Sequence, residues 1–430
     1  MRWHALKLAG LLLGLSNFAL GGELAIDPDF TFGHAMPVER PSPGRPYTFN
    51  WSDFPVKLRL NQSLTYNDNV LGLAHGQPTP FNISRGDFSS LTSLGGSTVM
   101  YVGGQQFFAD ANYGVTRYKI DTSLNTHQYS LDGGVNWVLG SRCSGRLVAA
   151  ANQYQSPIEE QIAPGVNTIT AKSLNESSKC QVSANVSTIL DSGWSTQENS
   201  QAASSGNNNT SKFVRGGLEY AATGVDTFQA FATYTIRDFA NRSTSTTLMS
   251  GLASEVDQND YLVRYRRLLT PSLTFDGSLG LAELTPLSAT SSTASSTQRV
   301  PFYSASALWT ATPKLTFGAA MGRSVGAPTS LLANAQISDT RSVTVNYLFS
   351  PKLSFQLGLA QSVTNASGAV GFGQRASQSQ QRSISAFLSA AYSITPFVNI
   401  TASYRYSDRK SQSADTTGNT FLIGLAYRPY

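Results

Sequence analysis

The sequence predicts an all-β protein: a closed, antiparallel, up-and-down transmembrane β-barrel of about 18 strands, with 16 as the alternative count. Apolar and polar residues alternate with a period of two almost without pause from Pro55 onward. The connections between these runs are of two kinds, tight turns and long polar loops, in alternation. Charged residues make up only 13% of the 430 and aromatics 10%, a balance that suits a sheet with one face against an apolar medium.

Residues 1–21 read as a secretory signal peptide. Arg2 and Lys7 supply a basic start, Leu8 to Leu15 an apolar stretch, and Ala19-Leu20-Gly21 a small-x-small site. A membrane anchor is the competing reading, but the run is short for a span. No other segment approaches the roughly 18 uninterrupted apolar residues of a transmembrane helix. Export without a helix leaves a soluble secreted protein or an outer-membrane barrel, which places the chain in a Gram-negative outer membrane.

Residues 22–54 carry Pro28, Pro37, Pro41, Pro43 and Pro46, a density that predicts an extended periplasmic segment without a core of its own. It is a solvated leader, a plug, or a tether to a periplasmic export component.

Residues 55–430 form the predicted barrel. PVKLRLNQSLTY sets Val56, Leu58, Leu60, Leu64 and Tyr66 against Lys57, Arg59, Asn61, Ser63 and Thr65. FFADANYGVTRY, YSLDGGVNWVL, FQAFATYTIRD and SPKLSFQLGLAQS repeat the theme. Tight turns are expected at Gly103-Gly104, Gly140-Ser141-Arg142, Asp191-Ser192-Gly193, Gly224-Val225-Asp226, Thr270-Pro271, Thr312-Pro313, Ser350-Pro351 and Thr395-Pro396. Long loops are expected at Asn69–Gly86, Ser156–Ser177, Ser204–Ser211, Leu287–Gln298 and Ser362–Ser379. The Ser/Thr-Pro pairs recur at roughly 40 residues, a period that propellers also show, yet each unit holds two long strands instead of four short ones. A greasy face on every strand therefore meets lipid, and closure leaves no unpaired edge in hydrocarbon. The last strand, Phe421, Ile423, Leu425 and Tyr427 with terminal Tyr430, resembles the C-terminal signal read by the outer-membrane assembly machinery.

Little points to catalysis. The histidines are His4, His34, His75 and His127, with no metal-ligand spacing and no phosphate-cradling glycine loop. His127, at a strand start, is the one candidate for a barrel hydrolase, and the expectation is that the protein is not an enzyme, binds no metal or cofactor and no nucleic acid. Cys143 and Cys180 fall on consecutive strands. Counting the hairpin around Ser156–Leu174 sets Cys143 opposite a residue near Val186, so free thiols are favoured over a bridge.

The inner face is more informative. Lys57, Arg59, Arg146, Lys179, Arg215, Arg237, Arg264, Arg266, Lys314 and Arg405 are expected to point inward, against Asp110, Asp132, Glu219, Asp260 and Asp276. The excess of cations predicts a lumen that attracts anions, with most charges paired along the wall. Arg264 and Arg266 are the constriction candidates. Phe231 and Phe302 are inner aromatics that either stack on sugar rings or pack against an infolded loop.

RLNQSLTYNDNVLGL, with Tyr66, Asp68, Asn69 and Val70 forming an aromatic-x-Asp-Asn-Val element, resembles the opening strand of an outer-membrane family known as putative β-barrel porin 2. The resemblance implies a barrel from about Pro55 to Tyr430 and a role in moving or assembling an exopolysaccharide; it supplies no site residues. The expected function is a channel for anionic or saccharide solutes, with a loop-closed structural or surface-interaction barrel as the alternative.

Overall fold

The computed structural model describes residues 56–70, 72, 73, 76, 79, 84–156, 167–242, 253–287, 297–326, 333–368, 380–411 and 415–428. The predicted signal peptide, the Pro-rich segment up to residue 54, His75 and Tyr430 lie outside them.

The described chain is almost entirely sheet. The strands are β1 (Lys57–Asn67), β2 (Asp87–Val102), β3 (Gln105–Tyr118), β4 (Thr126–Leu139), β5 (Cys143–Gln155), β6 (Thr168–Gln181), β7 (Val186–Asn199), β8 (Asn209–Ala221) and β9 (Asp226–Asp238). They continue as β10 (Glu255–Thr270), β11 (Leu273–Leu287), β12 (Gln298–Thr312), β13 (Leu315–Gly326), β14 (Ala333–Ser350), β15 (Leu353–Gly368), β16 (Gln380–Thr395), β17 (Val398–Lys410) and β18 (Asp415–Tyr427). Each pairs antiparallel with its sequence neighbours, and β1 pairs with β18, so a single 18-stranded sheet closes on itself. Short 3₁₀ turns at Thr122–Leu124 and Ala202–Asn207 are the helical elements among the described residues.

The short turns follow from local chemistry. Gly103 and Gly104 take φ of 57° and 86°, the left-handed pair that a two-residue hairpin turn demands. At each Ser/Thr-Pro turn the hydroxyl before the proline accepts a backbone N–H from beyond it. Ser272 N donates to Thr270 Oγ1 (3.3 Å), Lys314 N to Thr312 Oγ1 (3.2 Å), Lys352 N to Ser350 Oγ (3.3 Å) and Phe397 N to Thr395 Oγ1 (3.2 Å). Proline fixes the next φ, and the hydroxyl replaces a ladder bond.

The predicted turn at Asp191-Ser192-Gly193 is not one: these residues lie inside β7 and pair with Ser177, Glu176 and Asn175 of β6. The chain turns instead at 182–185, where Val182 N and Ser183 N both donate to Val186 O. β6 also begins at Thr168, earlier than the predicted loop allowed. That shift brings Cys143 directly opposite Cys180, and the two are joined by a disulfide, contrary to the expectation of free thiols.

The alternation sorts cleanly into two faces. Leu279 is 72% exposed, Ile423 63% and Leu94 59%, so the outer face of the chain is predominantly apolar. Aromatic residues edge this surface at two levels. Trp137, Tyr220, Trp309, Tyr347, Tyr392 and Tyr427 lie toward the short-turn end, and Tyr113, Tyr129, Tyr234, Tyr261, Tyr303 and Tyr406 toward the long-loop end. Charged residues such as Lys172, Lys212 and Arg341 lie at or beyond the upper level. An apolar band between two aromatic girdles is how a barrel is matched to hydrocarbon and its interfaces.

The seam is locked at the long-loop end by the aromatic-x-Asp-Asn-Val element. Asp68 Oδ1 accepts Asn419 N and Asp68 Oδ2 accepts Asn419 Nδ2, both at 2.7 Å. Asn69 Nδ2 donates to Thr417 O (2.8 Å) and to Leu73 O (2.9 Å), while Asn69 Oδ1 accepts Leu73 N. Tyr66 packs on Phe88 with ring centroids 4.7 Å apart, and Val70 is buried.

Candidate pore lining and mouth

The inner face begins with the residues alternate to the outer apolar set. Lys57 and Arg59 on β1, Asp110 on β3, Asp132 on β4, Arg146 on β5, Lys179 on β6, Arg215 and Glu219 on β8, and Arg237 on β9 all fall on it. Asp260, Arg264 and Arg266 on β10, Asp276 on β11 and Arg405 on β17 do likewise. Lys314 does not: it sits in the turn between β12 and β13 with its Nζ 3.5 Å from Phe349 O. Asp191, which the misplaced turn had hidden, joins the inner set.

Most of these charges are tied to the wall. Arg59 Nη2 reaches Asp110 Oδ1 at 2.6 Å, crossing β2 at Gly95, where a Cβ would stand 3.1 Å from the guanidinium. Arg215 Nε donates to Asp191 Oδ2 at 2.7 Å, and Lys179 Nζ binds Glu219 Oε1. Arg264 forms a bidentate pair with Asp276 (Nε and Nη2 both at 2.8 Å), and Arg266 Nε adds a third bond to the same carboxylate at 2.9 Å. Two cations thus share one anion, so this cluster keeps a net positive charge while both side chains are anchored. Arg237 Nη1 is buried without a hydrogen bond, and Arg405 stands opposite Phe387.

Charge is unevenly spread around the circumference. The inner faces of β12 to β16 carry no charged side chain among the described residues; they are built of Ser, Thr, Gly, Ala, Gln and Asn with a few apolar side chains.

Phe231 and Phe302 lie on the inner parity of β9 and β12, and the structure shows how they are held. Each lies directly opposite a glycine on the neighbouring strand, Phe231 on Gly217 and Phe302 on Gly280, so close that a Cβ on either glycine would come within 2.3 Å of the ring. The same arrangement recurs at Phe108 on Gly134, Phe213 on Gly193 and Phe387 on Gly358. A missing side chain lets the ring lie along the wall with one face on backbone and the other toward the lumen. Arg146 lies over Phe108 (4.7 Å to the centroid) and Arg215 over Phe231 (4.9 Å), which caps those two rings with cations.

At the long-loop end, Phe239 packs against Ala253, Val256, Leu284 and Val300 in a small apolar knot on the inner wall, fully buried. Arg242 stacks on Phe239 at 3.7 Å and donates from Nε to Gly206 O. Burial lowers its guanidinium to about 10, which leaves it charged at neutral pH. This is the infolded packing that the inner aromatics left open, here realised by Phe239 and not by Phe231 or Phe302.

His127 lies at the second position of β4, on the outer parity of the strand, with Nδ1 2.8 Å from Tyr113 Oη. Among the described residues no cluster of His, Cys, Asp or Glu has metal-holding geometry, and no helix is long and apolar enough to cross a membrane.

Residues 291–428 match the family described as Putative beta-barrel porin 2. No curated protein matches this sequence. Among solved structures, OccK3 (OpdO) of Pseudomonas aeruginosa is similar at 12% identity and a TM-score of 0.48, over 88% of this chain and 97% of that one. The siderophore receptor PirA of the same species is similar at 10% identity and TM-score 0.41, over 86% and 80%. The FrpB iron transporter of Neisseria meningitidis (F5-1 variant) is similar at 12% identity and TM-score 0.47; the match takes in 84% of this chain and 63% of that one, under two thirds of its length.

Proposed function

We propose that this porin-like barrel is an outer-membrane channel for anionic or saccharide solutes, and that its cargo is an exopolysaccharide in export. The observation that carries the reading is the inner wall. An 18-stranded closed sheet encloses roughly 35 Å between opposite backbones. Its lining is polar and carries an excess of cations, and phenylalanine rings lie flat on it at Gly280 and Gly358. Flat rings offer stacking faces to sugars, and the anchored arginines offer donors to carboxylate or sulfate groups. The outer face, apolar between two aromatic girdles, supports the membrane location.

In this reading residues 22–54 meet a periplasmic export component, and the C-terminal strand is handed to the assembly machinery. Planar-bilayer recording of the refolded protein tests the channel: steps of current with chloride preferred over potassium are expected, and silence at every polarity would end the reading. Deletion of the gene tests the cargo, since unchanged exopolysaccharide would remove the export role.

The apolar knot around Phe239 favours a second reading, a barrel closed by its loops and acting at the surface. It predicts no current until the Phe239–Arg242 segment is removed.

A further inference from the structure

Glu176 is out of place for a barrel in hydrocarbon. It lies on β6 two residues beyond Leu174, which is 47% exposed on the outer face, and its direct neighbours are Leu147 on β5 and Ser192 on β7. No register shift interrupts β6, so Glu176 faces outward with Leu174. From Glu176 to the strand end at Gln181 is about 13 Å along the barrel axis at a tilt of roughly 40°, near the middle of an apolar band about 25 Å tall. Among the described residues it is the one charged side chain on the outer face between the aromatic girdles, and it makes no hydrogen bond or ion pair there. Lipid tails provide nothing to satisfy a carboxyl group.

The surface around it has the anatomy of a contact. Ser178, Ser192, Ala149 and Gly216 keep the backbone within close reach, as closely approaching elements in a bilayer require. Leu147, Leu174, Leu190 and Trp194, each at least 38% exposed, ring the polar centre. Beside it a hollow of about 450 Å³ runs over β2 to β6, floored by Ala109, Gly133 and Ala149 and walled by Met100, Phe107, Val135 and Leu147.

We propose that this face is the interface with a second copy of the chain, related by a two-fold axis along the membrane normal. Both copies stand at the same depth, so with that axis passing beside Glu176 the two tilted β6 strands cross there and Glu176 meets its own counterpart. Two carboxyl groups that share protons satisfy one another, a stronger partnership than the single hydroxyl of Ser192 beside Glu176 can supply. The same axis turns the ridge of Leu190 and Leu218 on one side of β6 toward the partner's hollow on the other side, at a comparable level.

The inference rests on the outer-membrane location proposed above, and the test separates the two. Full-length protein is expressed with Cys143→Ala and Cys180→Ala, and either Glu176→Cys or Leu357→Cys on the far wall is added. Membranes are fractionated and then oxidised. Expected is a disulfide-linked dimer of twice the chain mass for E176C, at least five times more abundant than for L357C, and a dimer of the wild type in native mass spectrometry that E176K converts to monomer while E176Q retains it. Absence of the protein from the outer-membrane fraction overturns the location. Presence there with equal cross-linking of the two cysteines, a monomeric wild type, or a cross-link to a different protein overturns the second copy.

Discussion

The carboxylate of Asp68 and the amide of Asn419, 351 residues apart, are joined by two hydrogen bonds of 2.7 Å across the seam where the first strand meets the last. Sequence separation makes this contact expensive to form and valuable once formed, because it fixes the register in which β1 and β18 pair. Asn69 reinforces it from the next position through Thr417 O.

Asp68→Ala removes two charge-assisted bonds and is expected to destabilise the barrel by on the order of 2–4 kcal/mol. Urea unfolding followed by loss of heat-modifiable mobility measures it. Asn419→Ala should cost less, because Asp68 keeps the backbone N–H, and the double variant should resemble Asp68→Ala, not the sum of the two.

Asp276→Asn releases Arg264 and Arg266 from their shared anion. Reversal potentials in a salt gradient should shift toward stronger chloride preference, and Arg264→Ala with Arg266→Ala should shift the opposite way. Equal potentials in all three proteins would show that this cluster does not govern permeation.

Gly280→Ala and Gly358→Ala place a methyl group inside the rings of Phe302 and Phe387. Each ring must lift off the wall into the lumen. Single-channel conductance should fall while folding yield is kept, and adding Phe302→Ala or Phe387→Ala should restore it.

Reducing the Cys143–Cys180 bridge opens a link across a sequence separation of 37. The chain-entropy account assigns such a loop about 3–4 kcal/mol. Cys143→Ser with Cys180→Ser should lower the urea midpoint accordingly, with conductance unchanged because both residues lie on the outer parity.

Strand number, closure, and the inner or outer side of almost every candidate were legible, because side-chain alternation reports directly on which face a residue takes. Register was not. Asp191-Ser192-Gly193 has turn composition, yet Asp191 is spent on Arg215 and Gly193 lies under the ring of Phe213. The real turn at 182–185, Val-Ser-Ala-Asn, lacks Gly and Pro, so nothing in it announced a reversal. That one displacement also concealed the disulfide. The phenylalanine–glycine pairs were equally hidden, since each depends on which residue of the next strand stands opposite.

Among the described residues the uncharged inner wall from β12 to β16 faces the charged one from β1 to β11, so the fixed charge of the lumen is lopsided around its circumference. An anion entering such a space is drawn off centre and keeps to one flank. The usable path is then a lane along a wall instead of a pipe, narrower than the backbone ring that surrounds it, and its width is set by how far the anchored arginines project.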